Sequence, residues 1–236
     1  MKKTLLIGLI GLMAGWLPAA DSSLKDKLAQ ATKQLGDKPN YSWSTTTKEA
    51  DGTPGRLGPI DGKMEKGSFT FLSLTPGGIP VEVYMKGDKG TAKALEGWQT
   101  FDDIAATGGT AAAIVRFLRS YKVPAAQSAE FAGGVKELRE ANGAISGELK
   151  EEAIKEILLL GARRREGQDP PKTEDAKGSV KFWIKEGALT KYEINVQGKV
   201  TAGERTAEIN RTMTTEIKDV GATKLDVPTE AKAKLS

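Results

Sequence analysis

The sequence predicts an α+β protein built on an antiparallel sheet. Segments with the two-residue alternation of strands occupy both ends of the chain, and segments with helical spacing lie between them. Short turns separate the successive strand segments, which is typical of antiparallel neighbours. The 236 residues include 27 glycines. That is roughly 11% against a usual value near 7%, as expected for a chain with many turns.

The first part of the chain predicts one helix followed by hairpins. Leu24, Leu28, Ala31 and Leu35 recur at helical spacing, and Gly36 is a natural stop, so a helix is expected over residues 24–35. Strands are then predicted over 41–47, 64–74 and 81–85, with a loop over 51–62 and a short pairing segment over 91–95.

The middle of the chain predicts helices. Thr100 and Asp103 have the form of a capping box that starts a helix running toward Tyr121, with Gly108 and Gly109 as the place for a break or kink. Further helices are expected over 127–141 and 150–161, separated by a short strand over 143–149, and the polar residues 162–178 predict an exposed loop.

The last third is the clearest β region. Apolar residues alternate with polar ones over 180–184, over 192–200 and over 206–217. The apolar face of the last strand carries Ala207, Ile209, Met213 and Ile217. Pro228 predicts the start of a short C-terminal helix.

The composition excludes most catalytic chemistry. The chain has no cysteine and no histidine, which removes thiolate nucleophiles, disulfides, imidazole bases and the usual zinc ligands. No phosphate-binding loop or nucleophile elbow occurs. The adjacent carboxylates Asp102 and Asp103 are interpreted as helix caps rather than an acid–base pair. We therefore predict a protein that is not an enzyme and has no catalytic residues, cofactor or metal.

The N-terminus has the pattern of a secretory signal peptide. Lys2 and Lys3 precede an apolar run from Leu5 to Leu17, and the small residues Ala19 and Ala20 follow. We expect residues 1–20 to be a signal peptide and 21–236 to be a single domain, with no stable membrane span once the leader is removed. Removing two of the 35 basic residues leaves 33 against 31 acidic ones. That balance does not favour a nucleic-acid partner.

The C-terminal third resembles a known family. The hairpin residues Val180-Lys-Phe182-Trp183-Ile184 and Leu189-Thr-Lys-Tyr192-Glu-Ile194 precede a Thr-rich strand that runs into Thr214-Thr-Glu-Ile217-Lys-Asp219-Val-Gly221 and then Leu225-Asp-Val227-Pro228. This order is similar to periplasmic proteins of the lipoprotein-carrier superfamily, both LolA-like and LppX/LprG-like. No cysteine follows the leader, so the chain departs from the lipid-anchored members.

The resemblance implies a curved antiparallel half-barrel with helices covering its concave face. It also implies an apolar cavity between sheet and helices that takes a lipid, an acyl chain or a lipidated partner. The expected cavity lining is apolar and drawn from both layers: Trp43, Phe69, Phe71, Val83, Met85, Val115, Leu118, Phe182, Ile184, Tyr192, Ile194, Ile209 and Met213.

Two functions therefore remain open at the level of sequence. The first is a periplasmic, non-catalytic protein that binds a lipid or a lipidated partner. The second is an envelope interaction module with an envelope protein as partner, whose core is filled by its own side chains. A pocket smaller than roughly 300 Å³ would favour the second.

Overall fold

The computed structural model describes residues 18–94, 97–159 and 170–235, and these form an α+β fold. The helices are α1 (Pro18–Asp37), α2 (Phe101–Ala106), α3 (Gly109–Ser120), α4 (Pro124–Gly133), α5 (Glu151–Leu159) and α6 (Thr229–Lys234). The strands are β1 (Asn40–Glu49), β2 (Ile60–Glu65), β3 (Thr70–Leu74), β4 (Val81–Lys86), β5 (Lys89–Ala94), β6 (Gly97–Thr100), β7 (Val135–Ala141), β8 (Ala144–Leu149), β9 (Lys172–Lys185), β10 (Ala188–Ala202) and β11 (Arg205–Lys218).

All the strands described join in one antiparallel sheet that does not close. Their order is β6-β5-β4-β3-β2-β1-β11-β10-β9-β8-β7. Neighbours in the sheet are neighbours in the chain except at the centre, where β1 pairs with β11. The sheet is a curved half-barrel, as predicted, and its two edges are β6 and β7.

Helices α1, α3, α4 and α5 cover the concave face of the sheet. Their buried residues, among them Leu28, Leu118, Phe131 and Ile154, belong to one core cluster with the inward side chains of the strands. Alternate residues of a strand point to opposite faces. A smaller cluster therefore lies on the convex face, where Tyr84 and Trp98 pack against α6.

The predicted strand over 64–74 is wrong, because two strands occupy this region. β2 ends at Glu65 and β3 begins at Thr70, with a turn between them at which the Ser68 amide donates to the Glu65 carbonyl. Gly67 has a φ of 73°, a conformation that glycine adopts without strain. β2 also begins inside the predicted loop, at Ile60.

The predicted helix over 127–141 is wrong in its second half. α4 ends at Gly133, and residues 135–141 form the edge strand β7. Val135 and Leu138 are spaced as on a helix, but a register shift between them lets both lie buried within the strand. The helix toward Tyr121 does break at the paired glycines into α2 and α3, and the capping box of Thr100 and Asp103 is present.

The other predicted elements differ mainly in their bounds. Helix α1 ends, and helices α2 and α6 begin, within a few residues of the predicted positions. Helix α5 is described as far as Leu159. Residues 172–178, predicted as loop, belong to β9, while 160–169 lie outside the described residues. The predicted leader also lies largely outside them, at 1–17.

Arg211 interrupts the apolar face predicted for the last strand. Its side chain is partly buried, which lowers the pKa of the guanidinium, and it donates to the Ile157 carbonyl at 3.3 Å. Ile157 lies in α5, which packs against the strands in the core. Arg211 therefore ties α5 to the concave face.

Asp21 fastens the start of α1 to the edge of the sheet. Its carboxylate accepts hydrogen bonds from the Lys25 ammonium and from the backbone amide of Leu138 in β7. The bond from Lys25, followed by the bond from Leu138, holds the pKa of Asp21 below its ordinary value. The same contact occupies one amide of an edge strand that would otherwise be open.

We expect Asp21→Asn to lower the free energy of unfolding at neutral pH. A carboxylate with a depressed pKa stabilises the fold above its unfolded pKa, about 3.9, and loses that effect as pH falls through its folded pKa. The deficit of the variant should therefore shrink below pH of about 4. Urea unfolding across pH measures this, with Asp26→Asn on an exposed position of the same helix as control. A deficit that is constant with pH would contradict the assignment.

Candidate functional site

An open groove of about 870 Å³ runs between α1 and α4. We call it the α1–α4 groove. It is lined by Lys25, Leu28, Ala29, Thr32, Lys33, Gly36 and Asp37 from α1, by Val123, Ala125, Ala126, Ala129, Ala132 and Gly133 from α4 and the residue before it, and by Tyr41, Met64, Val135, Lys136, Leu138 and Lys150. Its volume falls within the range of roughly 300–1,000 Å³ that is typical of small-molecule sites.

Small residues open the groove. Ala29 of α1 and Ala126 and Ala129 of α4 are exposed, because their side chains do not reach across the space between the two helices. Buried apolar side chains lie beneath them, including Leu28 and Leu138. The groove therefore has an apolar floor that is open to the surface.

The two helices run in opposite directions. Gly36, near the end of α1, lies beside Ala125 in the first turn of α4, since a Cβ built at Gly36 would lie 3.7 Å from the Cβ of Ala125. The start of α1 contacts β7 through Asp21 and Leu138, close to where α4 ends. The groove thus has a β1 end, near Tyr41 and Met64, and a β7 end, near Val135 and Leu138.

Buried tyrosines hold α3 and α4 on the sheet. The Tyr41 hydroxyl accepts a hydrogen bond at 3.3 Å from the amide of Ala125, which has no partner within its own helix. The Tyr192 hydroxyl donates to Gln127 Oε1 at 2.6 Å, and Trp43 Nε1 donates to the Tyr121 hydroxyl at 2.9 Å. These bonds fix one wall of the groove.

The same tyrosines stay neutral. Burial raises the pKa of Tyr41 to about 12 and raises the pKa values of Tyr121 and Tyr192 well above the ordinary value. A phenol with so high a pKa is protonated at neutral pH. The cluster therefore supplies hydrogen bonds and offers no tyrosinate nucleophile or base.

Eleven of the thirteen residues predicted to line a cavity lie in the core between sheet and helices. Trp43, Val83, Val115, Leu118, Phe182, Tyr192 and Ile194 are buried, and Met85, Ile184, Ile209 and Met213 are partly buried against them. Leu118 and Met85 also line a second, smaller pocket of about 150 Å³. None of the thirteen lines the α1–α4 groove.

Phe69 and Phe71 lie apart from the other predicted residues. Phe71 pairs in register with Tyr84 on the convex face, and both phenylalanines pack in the cluster beneath α6. The alternation in β3 separates Phe71 from Leu72 and Leu74, as the sequence indicates. The alternation alone does not predict which face of the sheet the larger layer of helices covers, because that depends on tertiary packing.

Asp102 and Asp103 have structural partners, as interpreted from the sequence. The Asp103 carboxylate accepts from the Thr100 amide and hydroxyl, and these bonds lower its pKa. Asp102 pairs with Arg119 of α3 at 2.6 Å. In the part of the chain that the structure describes, no group of three or more acidic side chains is placed to hold a metal ion.

The pattern of apolar residues in the sequence does not predict the residues that line the groove. Large apolar residues signal a core, whereas the groove is formed where side chains are small. A signal does exist in the run Ala125, Ala126, Ala129, Ala132 and Gly133. At helical spacing this run makes one broad face without bulky groups.

An open antiparallel half-barrel with helices on its concave side is the fold that the sequence resemblance to the LolA-like and LppX/LprG-like proteins implies. Neither a family model nor a curated protein matches the sequence.

Among solved structures, the lipoprotein LppX of Mycobacterium tuberculosis matches with a TM-score of 0.51 at 13% identity, over 88% of this chain and 100% of that one. LprF from Mycobacterium bovis matches with a TM-score of 0.48 at 12% identity, over 89% and 98%. A LolA superfamily protein from Nitrosomonas europaea matches with a TM-score of 0.32 at 9% identity, over 87% and 94%.

Within 18–94, 97–159 and 170–235, none of the helices combines the length and the apolarity that a bilayer span requires.

Proposed function

We propose that this protein is an exported, non-catalytic envelope protein that binds the acyl chain of a lipid or of a lipidated partner in the α1–α4 groove. The observation that carries the proposal is the groove itself, which has the volume of a ligand site and an apolar floor. An acyl chain laid along the exposed alanines would cover apolar surface that water now contacts. Each square ångström covered contributes about 25 cal/mol.

Two further features support the proposal. The carboxylates and tyrosines singled out above are engaged in caps, ion pairs and buried hydrogen bonds rather than arranged around a reacting atom. The N-terminal leader pattern supports export, and N-terminal sequencing of protein recovered from the cell envelope tests it.

Filling the groove is expected to weaken the binding of an alkyl chain. Ala129 is exposed on α4 in the middle of the groove, so Ala129→Trp places an indole where the chain would lie. We expect affinity for dodecanol, measured by competition with a fluorescent acyl probe, to fall at least about ten-fold.

The matched control is Ala233→Trp, at an exposed position of α6 outside the groove. It should leave dodecanol binding unchanged, and both variants should keep the thermal midpoint of the unmodified protein. No binding by the unmodified protein, or equal binding by Ala129→Trp, would refute the proposal.

A second candidate function is favoured by one specific observation. Seven of the side chains predicted to line a cavity are themselves buried in the core, which is what an interaction module with a self-filled core requires. Such a module would bind an envelope protein and take up no acyl chain. The dodecanol measurement therefore separates the two functions.

A further inference from the structure

The charges around the α1–α4 groove differ between its two ends. At the β1 end, the Asp37 carboxylate pairs with Lys33 at 2.7 Å and with Lys66 at 3.3 Å, and of these residues Lys33 and Asp37 line the groove. At the β7 end, the lining contains three lysines, Lys25, Lys136 and Lys150, and no acidic residue. The lining of the groove therefore carries one charge of each sign at the β1 end and only positive charges at the β7 end.

The acids near the β7 end lie outside the groove lining, and those of β7 itself, Glu137 and Glu140, pair with Arg139 and Lys27. Asp21 pairs with Lys25, Glu151 pairs with Lys155, and Glu148 approaches Lys136 at 3.7 Å with 79% of its side chain exposed. An exposed pair at that distance contributes little and is readily exchanged. Lys136 is thus available to a second anion.

Lys150 is the cation most directly placed at this end. Its ammonium donates at 3.2 Å to the carbonyl of Gly133, the last residue of α4. That carbonyl belongs to a helix C-terminus, which attracts cations. The contact places the ammonium at the C-terminal end of α4, which is also the end of that wall of the groove.

We infer that the groove binds a single-chain amphiphile with an anionic headgroup, oriented with the headgroup at Lys136 and Lys150 and the chain directed toward Tyr41 and Met64. This inference rests on the proposed function and adds the ligand's charge and direction. The anion would meet ammonium groups, and the chain would lie on the exposed alanines between the two ends. In the opposite orientation, the anionic headgroup would lie beside the Asp37 carboxylate.

The test compares two probes that share one chain, dodecanoate and dodecanol, on the full-length protein. We expect dodecanoate to bind at least about five-fold more tightly, the contribution of two exposed ion pairs. In the variant carrying both Lys136→Gln and Lys150→Gln, the two probes should bind with equal affinity. Lys38→Gln, at an exposed position just after α1 that does not line the groove, should keep the preference.

The possible outcomes distinguish failure of the proposed function from failure of the headgroup assignment. If neither probe binds, the proposed function fails. If both bind the unmodified protein equally, or if the preference survives in the double variant, the inference about the headgroup is wrong while acyl binding stands. Raising the salt concentration should also narrow the difference between the probes, because exposed charges are screened.

Discussion

Replacing Trp43 by alanine is expected to destabilise the protein by about 3–5 kcal/mol, the range for removing a buried large aromatic side chain. Trp43 is 2% exposed at the centre of the concave face. Its ring lies against the Tyr121 ring, with centroids 6.4 Å apart, and its Nε1 donates to the Tyr121 hydroxyl. The variant therefore leaves a cavity and removes the partner of a buried hydroxyl.

A matched control for this variant is Trp183→Ala. Trp183 is only partly buried and packs beneath the Lys191 ammonium, 4.6 Å from the ring centroid. A cation–π contact at such a site contributes about 0.5–1 kcal/mol, so the loss should be much smaller. Urea unfolding measures both variants. Equal losses at the two tryptophans would show that Trp43 is not the central packing residue.

Replacing Gly62 by alanine is expected to destabilise the protein by about 1–3 kcal/mol, the usual cost of overpacking a core. Gly62 of β2 pairs with Trp43 of β1, and the indole lies over it. A Cβ at Gly62 would be 2.1 Å from two atoms of that ring. The ring would have to leave its position and with it the hydrogen bond to Tyr121.

The double variant identifies the cause of this loss. Once Trp43→Ala has removed the ring, Gly62→Ala should cost little, because alanine is otherwise preferred to glycine in a strand. Gly133→Ala is the control, since a Cβ there meets nothing within 4 Å. If Gly62→Ala costs the same in both backgrounds, the strain comes from the backbone and not from contact with Trp43.

The Trp43–Gly62 contact shows what the sequence could and could not predict. The alternation in Tyr41-Ser-Trp43-Ser-Thr45 predicts a strand with an apolar face, and β1 is that strand. The need for glycine at position 62 depends on the register between β1 and β2. Register is set by the pairing of strands and by the turn between them, which local periodicity does not contain.

The edge strand β7 was predicted as helix for a related reason. Phe131, Val135 and Leu138 have helical spacing in the sequence, but Gly133 and Gly134 end α4 between the first two. Beyond the glycines, pairing with β8 provides hydrogen bonds for the backbone. Tertiary pairing therefore outweighs local spacing, as it commonly does in short segments.

The candidate site was less predictable than the fold. The sequence predicts a ligand among large apolar residues between the sheet and the helices, whereas the groove lies where α1 and α4 present small ones. The lysines at its β7 end come from α1, from β7 and from the residue after β8, and these segments are distant in the chain. Only the packing of α1 against α4 and β7 brings Lys25, Lys136 and Lys150 to one end.

The pairing of β1 with β11 has a consequence for how the chain folds. Strands β1 to β6 and strands β7 to β11 each form by joining neighbours in the sequence, so most strand pairs close short loops. The central junction instead joins residues such as Thr45 and Thr215, which are 170 positions apart. Loop closure over such a distance costs more entropy than a hairpin, and non-local pairing slows folding. We therefore expect the two halves of the sheet to form first, and the rate of folding to be limited by the step that joins them.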